Sequence, residues 1–290
     1  MKRYEELTIK DDFLFSKVMA RPDLCKQMIE IMLNIKVDKI VKVESNYAVA
    51  PVLDKHSIRL DVYVKDSNKI YDIEMQTTNE HNLEKRARYY QSIIDIDELD
   101  KSVNYKELKE SYIIFICTFD PLKRGKLKYD IKQIIYDEEE FLKDKILYFY
   151  DDNTNKIFYN LTSKELLEDN SELAKFLRYI RDDKIDGEFS SKVDHAVKQA
   201  KYFKPWRKEY MTMQAKIDDA YYDGLKRGER RGITLGKKQG RTEGISIGEQ
   251  RALQSTAIKL LQSNLDFETV SKCTNISIDK LKELLNKSSK

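Results

Sequence analysis

Two short segments with alternating side chains, separated by a three-residue turn, constrain the fold of this chain more than any other feature. In residues 57–65 and 69–76, apolar side chains alternate with other side chains, which is the pattern of half-buried β-strands. The intervening Asp-Ser-Asn sequence at 66–68 is typical of a tight turn. The pattern predicts a β-hairpin whose first strand has Ile58, Leu60, Val62 and Val64 on one face and Arg59, Asp61 and Tyr63 on the other.

The register of this hairpin follows from its turn. A tight turn over 66–68 pairs residues whose numbers sum to 135, so Asp61 lies opposite Glu74 and Arg59 opposite Gln76. Opposed side chains lie roughly 5 Å apart at Cβ. Two carboxylates that close stay ionised only beside a positive charge, and a divalent cation with oxygen ligands is the natural candidate. The plain structural alternative is an edge hairpin with a solvated polar face.

The segments around the hairpin define an order of elements. Residues 22–34 predict a helix and 37–49 a strand; after the hairpin, 80–95 predict a helix and 112–117 a buried strand. The order is therefore helix, three strands, helix, strand.

This order, with Asp61 on the second strand and Glu74-Met75-Gln76 on the third, resembles the PD-(D/E)XK nuclease superfamily. More closely, the chain resembles the bacterial recombination-promoting nuclease (transposase) family. The resemblance implies an α/β fold, with a restriction-endonuclease-like αβββαβ core and a mixed sheet, followed by a helical C-terminal extension. The matching segments are residues 11–15, 60–62, 72–76, 85–90, 104–108, 156–160 and 206–211.

The resemblance also implies a metal-dependent DNA endonuclease that promotes recombination or mobile-element transfer. Asp61 and Glu74 would bind Mg²⁺ or Mn²⁺, with the backbone carbonyl of Met75 as a third ligand. Gln76 is catalytic by the same resemblance, although the superfamily has lysine there; glutamine can hydrogen-bond the attacking water but brings no charge. The alternative is a catalytically weak or inactive nuclease fold that acts as a DNA-binding or self-associating module.

Two further residues have a functional and a structural interpretation. Asp12 matches the acid of the family's amino-terminal motif, so it contributes to the site or caps the helix that follows. Arg86 contacts a nucleic-acid phosphate or is an ordinary surface arginine. Tyr90 is expected in the core.

Shifts in composition predict three parts. Residues 1–185 form the nuclease-like core, 186–251 a helical basic arm, and 252–290 a small helical tail of three short helices. Within the core, residues 147–150 and 156–159 predict a second hairpin. The tail is loosely helix-turn-helix-like, although a helical clamp or dimerisation element explains it better than DNA reading.

The arm concentrates positive charge. The whole chain has a net charge of only +3, but residues 196–251 contain 14 Lys or Arg against 7 Asp or Glu. Such an arm attracts phosphate, which makes DNA the expected partner. A solvated helix face explains the charge equally well. The candidate nucleic-acid-binding residues are Lys226, Arg227, Arg230 and Arg231.

Seven glycines recur at every fourth position from Gly224 to Gly248. Together they cost a helix about 6 kcal/mol relative to alanine. The repeat is therefore a flexible linker, or a stripe along which another helix approaches closely. A period above 3.6 residues favours right-handed wrapping. We favour a packed helix and hence a homodimer through the glycine repeat.

Composition excludes several other classes. Charged residues make up 36% of the chain, mean hydropathy is −0.64, and no run approaches the roughly 20 apolar residues of a membrane helix. The first residues lack the apolar segment of a signal peptide. Cys25, Cys117 and Cys273 are too far apart for a disulfide framework or a Cys/His zinc site. A cytoplasmic protein without a membrane partner is expected.

Overall fold

The computed structural model describes residues 2–49, 58–135 and 148–288. Strands β1–β8 and helices α1–α9 are numbered in chain order, and short 3-10 turns lie at Tyr4–Glu6 and Tyr105–Glu107. The strands are β1 Lys42–Val49, β2 Ile58–Lys65, β3 Lys69–Gln76, β4 Glu110–Cys117, β5 Lys128–Ile131, β6 Gln133–Ile135, β7 Tyr148–Tyr150 and β8 Thr154–Asn160. The helices are α1 Asp12–Met19, α2 Pro22–Leu33, α3 Leu83–Glu98, α4 Glu165–Glu168, α5 Glu172–Asp182, α6 Glu188–Tyr202, α7 Lys204–Gln262, α8 Phe267–Thr274 and α9 Ile278–Ser288.

Six strands form a mixed sheet in the order β1-β2-β3-β4-β8-β5. The β3–β4 and β4–β8 pairs are parallel, and the other neighbours are antiparallel. This sheet, with helices before and after it and a helical C-terminal region, confirms the predicted αβββαβ order and mixed α/β fold. Because β2 and β3 are interior strands, the hairpin is not the edge hairpin of the plain structural alternative.

The register of the hairpin is the predicted one. The four pairs that join β2 to β3 run from Val62–Ile73 to Lys65–Ile70, and the numbers of each pair sum to 135. Asp66 closes the turn, since its carboxylate accepts the backbone N–H groups of Asn68 at 2.8 Å and Lys69 at 2.6 Å.

The strict alternation predicted for β2 is wrong. Leu60 and Tyr63 differ in parity, yet both belong to the same buried cluster. The neighbouring strand is also distorted: Asn46 has a φ of 55°, and the β1–β2 pairs pass from Ser45–Val62 to Tyr47–Leu60 without Asn46 and Asp61. The alternation of side chains between the two faces of the sheet is therefore interrupted between residues 60 and 63, and Asp61 lies in this irregular segment.

The predicted second hairpin is also wrong. Residues 148–150 pair with β6 in a separate two-stranded sheet, whereas residues 154–160 insert between β4 and β5. Residue 147 lies outside the described residues. Side-chain alternation identified both strands, but their partners come from elsewhere in the chain.

Helix α3 covers one face of the large sheet. Its apolar stripe contains Leu83, Ala87, Tyr90 and Ile94, which are spaced three or four residues apart and belong to the same cluster as strand residues such as Phe115. Asp72, Glu74 and Gln76 pair in register with β4 residues of this cluster, so they point to the α3 side. Helix α1 also packs against β1, β2 and β3.

The chain divides into two compact units, Met1–Thr212 and Met213–Lys290. The first unit extends past residue 185 because α6 buries Phe189 and Val193. Tyr210 also belongs to it: its ring lies 5.2 Å from that of Phe13, and its hydroxyl donates to the carbonyl of Lys2 at 3.0 Å. The predicted boundaries at 185 and 251 stay a prediction.

Helix α7 contains 59 residues and includes the whole glycine repeat. The whole repeat is helical, which agrees with the packed-helix interpretation and not with a flexible linker. Added Cβ atoms at Gly224 through Gly248 would meet nothing within 4 Å. No described part of the chain covers the stripe.

The tail contains two separate short helices rather than three, because its first predicted helix is the end of α7. Ala257, Val270 and Leu281 form a small buried cluster. Asp266 caps α8 by accepting the N–H of Thr269 at 2.9 Å. Among the described residues, every helix is too short or too polar to cross a lipid bilayer.

Candidate active site

The two acids of the hairpin lie where β2 and β3 separate. Pairing between the strands ends at Val62–Ile73, one step before Asp61 and Glu74. The carboxylates then replace the missing backbone partners: Glu74 Oε1 accepts the N–H of Asp61 at 2.9 Å, and Asp61 Oδ2 accepts the N–H of Met75 at 3.0 Å. This exchange fixes both side chains and leaves the second oxygen of each for other partners.

The same separation means that Arg59 does not pair with Gln76, contrary to the predicted register beyond Asp61. Gln76 instead contacts an arginine of helix α3, Arg86. Arg86 of α3 donates from Nη1 to Gln76 Oε1 at 2.6 Å and from Nη2 to the hydroxyl of Tyr90 at 2.8 Å. Because arginine only donates, Gln76 must present its oxygen to Arg86 and its amide N–H groups elsewhere. The Gln76 nitrogen lies 3.5 Å from Glu74 Oε2.

Burial dominates the electrostatics of the acid pair. Glu74 is 2% exposed, and burial, followed by the charge of Asp72, holds its pKa well above the ordinary value. The pKa of Asp61 is raised by burial, then by the charges of Glu74 and Asp12. Arg86 opposes both shifts and lies 3.5 Å from Glu74 Oε2. Arg86 thus faces several acids, and Arg59 lines the same cavity.

Asp72 adds a third buried acid, which the sequence pattern did not single out. It is fully buried on the same strand face as Glu74, and neither of its oxygens has a hydrogen-bond partner among the described residues. Burial, then the charge of Asp61, raises its pKa well above the ordinary value. The carboxyl groups of Asp72 and Glu74 are neighbours, and they can share a hydrogen bond only if one of the two holds a proton. The cluster of Asp61, Asp72 and Glu74 therefore holds excess negative charge unless protons or a cation compensate it.

Asp12 reaches the same place from helix α1. The helix begins at Asp12 and its N-cap is Asp11, so the capping interpretation of Asp12 is wrong. Asp12 lines the cavity and is exposed, although neighbouring protein atoms partly desolvate its carboxyl group. This desolvation raises its pKa, and the charge of Asp11 adds to the effect.

These side chains line a cavity of about 320 Å³. Its wall brings together the predicted residues Asp12, Asp61, Glu74, Met75, Gln76 and Arg86. Tyr90 lines it too, although it is 8% exposed and packs in the core as expected. The cavity is also lined by Thr77, Thr78 and Glu80, which the sequence analysis did not identify. Their position soon after the end of β3, the strand that carries Glu74, could have indicated them.

The donor set suits a hard divalent cation. Among the described residues, no three His, Cys, Asp or Glu side chains form a ready-made metal cluster. Mg²⁺, however, commonly uses one or two carboxylates and completes its shell with waters and substrate phosphates. The uncompensated charge of Asp61 and Glu74 beside an open, polar cavity fits such a site.

The four predicted arm residues lie in the second unit. Lys226, Arg227, Arg230 and Arg231 are all exposed on α7.

Comparison with known proteins agrees with the fold. The chain matches the family described as PD-(D/E)XK nuclease family transposase over residues 9–228, about three quarters of its length. The matched range includes Asp12, Asp61, Glu74 and Gln76. No curated protein and no solved structure gives a significant match. The chain therefore belongs to the PD-(D/E)XK nuclease family transposases, which are nuclease-type hydrolases that act on DNA.

Proposed function

We propose that the protein is a divalent-metal-dependent DNA endonuclease that hydrolyses phosphodiester bonds. The observation that carries this proposal is the paired arrangement of Asp61 and Glu74 where β2 and β3 separate, with raised pKa values beside a polar cavity. Asp61, Glu74 and the backbone carbonyl of Met75 would hold Mg²⁺ or Mn²⁺. When bound, such a cation polarises the scissile phosphate and activates the attacking water.

Gln76 and Arg86 together supply what a single lysine supplies in the wider superfamily. Gln76 is fixed by Arg86 with its amide donors directed away from that arginine, so it can orient the water by hydrogen bonding. Arg86 contributes the positive charge that glutamine lacks, and it lies within reach of a phosphate in the cavity. Preorganised donors of this kind stabilise developing negative charge without reorganising.

Asp12 lines the cavity and has an exposed side chain. It would accept a hydrogen bond from water that enters the site. Because it is more exposed than Asp61 or Glu74, we assign it a supporting role.

The second unit supports a DNA partner and self-association. Four exposed cations, Lys226, Arg227, Arg230 and Arg231, suit contacts with phosphates. The glycine stripe is open along its length, and Leu225, Ile233, Leu235, Ile245 and Ile247 are each at least half exposed. A second copy of α7 would cover these apolar side chains, which makes a homodimer our proposal. Recombination or mobile-element transfer is the expected biological role.

Nicking of supercoiled plasmid by the full chain tests this function. Cleavage should require Mg²⁺ or Mn²⁺, stop with chelator, and be lost in Asp61→Asn and Glu74→Gln, while circular dichroism shows an intact fold. Glu84→Gln is a matched control, since it removes an exposed acid at the start of α3 that does not line the cavity. A wild-type protein that binds DNA without cutting it would favour the inactive module. Full activity in both cavity variants would remove the site assignment.

A further inference from the structure

The loop between β4 and β5, residues 118–127, lies at the same end of the sheet as the cavity. Strands β3 and β4 are parallel, and Gln76 pairs with Cys117 at their carboxyl ends. Immediately afterwards, the N–H of Thr118 donates to the carbonyl of Gln76 at 3.0 Å, and its hydroxyl lies 3.4 Å from the carbonyl of Thr77. Gln76 and Thr77 both line the cavity.

Hydrogen bonds to Asp120 hold this loop, and Phe119 and Leu122 pack against the apolar cluster of the sheet. The Asp120 carboxylate accepts the N–H groups of Lys123 at 2.9 Å and Gly125 at 2.7 Å, and the hydroxyl of Tyr129 at 2.8 Å. These hydrogen bonds hold the pKa of Asp120 below its ordinary value against the effect of burial. Its charge is thus engaged in holding the loop.

The far side of the loop is held too. Ser163 donates to the carbonyl of Gly125 at 2.7 Å, and Asn160 donates to that of Lys126 at 3.1 Å. Lys123 adopts a φ of 55° and Gly125 a φ of 73°. A left-handed lysine is uncommon and persists only where its surroundings impose it.

The fixed backbone presents two cations without acidic partners. Lys123 and Arg124 are exposed, and their side chains form no ion pair or hydrogen bond with any residue that the structure describes. By contrast, Lys126 pairs with Glu165 at 2.9 Å and Lys128 with Asp130 at 3.1 Å. The two unpaired charges are the ones at the tip of the loop.

The loop is short enough to keep Lys123 and Arg124 within a few phosphates of a strand that enters the cavity. Lys123 is five positions after Thr118, so the two Cα atoms are at most about 18 Å apart. Phosphates along one strand advance about 3.4 Å per base pair, so this span corresponds to about five base pairs. A duplex whose scissile phosphate enters the cavity thus has neighbouring phosphates within reach of the loop.

We infer that Lys123 and Arg124 form a phosphate-binding tip that holds duplex DNA across the cavity. The inference rests on the proposed endonuclease function and adds a binding element in the first unit, separate from the arm cations of α7. Phosphate contacts fix position without reading sequence. The tip would therefore set where the duplex lies, and not which bases are cut.

The test is the salt dependence of binding to a fluorescent 20-base-pair duplex, measured on the full chain with Ca²⁺ in place of Mg²⁺ to prevent cleavage. The variant Lys123→Asn/Arg124→Gln removes both charges, and asparagine tolerates the left-handed backbone at 123. Loss of two phosphate contacts should reduce the slope of log K against log salt by about 1.8, which corresponds to about 60-fold weaker binding at 0.1 M salt.

Lys101→Gln/Lys106→Gln is the matched control. It removes the same charge from exposed residues that precede β4, at the opposite end of the sheet. An unchanged slope in the control with a reduced slope in the tip variant supports the inference. Equal slopes in the tip variant and wild type, or equal reductions in both variants, overturn it while leaving the endonuclease intact. A wild-type protein that neither binds nor cuts DNA removes the proposed function and the tip together.

Discussion

Asp72→Asn should stabilise the metal-free protein, and the gain should grow with pH. Asp72 is fully buried without a hydrogen-bond partner among the described residues, and its pKa is raised by burial and by Asp61. In the unfolded chain an aspartate titrates near 3.9. Between that value and the folded pKa, the native cluster must hold a proton that the unfolded chain releases. The contribution of this protonated group to the free energy of unfolding is therefore fully present at low pH and decreases as the pH rises.

The slope of this loss gives the magnitude. One excess proton in the native state costs about 1.4 kcal/mol of unfolding free energy per pH unit. Asparagine has the shape of a protonated aspartate and offers an N–H donor to Glu74, so the variant holds one proton fewer. Above the pH at which the unfolded aspartate titrates, the difference in unfolding free energy between Asp72→Asn and wild type should therefore grow by about 1.4 kcal/mol for each pH unit over which the native cluster holds this proton.

Urea unfolding in EDTA at pH 4.5, 5.5 and 6.5 measures this difference. Asp66→Asn is the control, because Asp66 is a buried aspartate of the same hairpin whose carboxylate is fully hydrogen-bonded. Asp66→Asn removes charged hydrogen-bond acceptors, so it should lower the free energy of unfolding by roughly 1–3 kcal/mol. Saturating Mg²⁺ should shrink the gain of Asp72→Asn, since a cation compensates the same charge. A gain that is constant over this pH range would refute the excess-proton explanation.

Three further predictions follow from the cavity and the long helix. Arg86→Ala should lower the nicking rate at saturating DNA about 10²-fold, and adding Gln76→Lys should restore part of it by returning a positive charge; unchanged rates in Arg86→Ala would exclude the arginine from catalysis. Replacing Lys226, Arg227, Arg230 and Arg231 by glutamine should reduce the salt slope of duplex binding by up to about 3.6 without changing the rate at saturation, and an unaltered slope would leave α7 outside the DNA interface. Gly232→Ala/Gly236→Ala/Gly240→Ala should raise helix stability by about 2.5–3 kcal/mol in the monomer yet weaken self-association in sedimentation, whereas greater stability at unchanged mass would show that the stripe is not an interface.

Local sequence determined the hairpin and its register. The turn at Asp66 and the alternation on either side of it act over a few residues, so they specify which residues pair without help from the rest of the chain. The four observed pairs follow that register, and the pair next in line is Asp61 and Glu74. The order of helices and strands also follows from local periodicity, which reports which face of each element is apolar.

Other features needed the tertiary structure, because they depend on residues distant in sequence. The strand at 154–160 lies between β4 and β5 rather than against 148–150, since its apolar side chains are buried by partners that alternation cannot name. The glycine repeat is helical despite its low propensity.

The chemistry of the site shows the same division. Sequence placed Asp61 opposite Glu74, but only the separation of β2 from β3 turns the two carboxylates toward each other's backbone. Only the packing of α3 on the sheet brings Arg86 to Gln76 and removes water from Asp72. Desolvation and long-range charge set the properties of these groups, and both depend on atoms that a local sequence window does not contain.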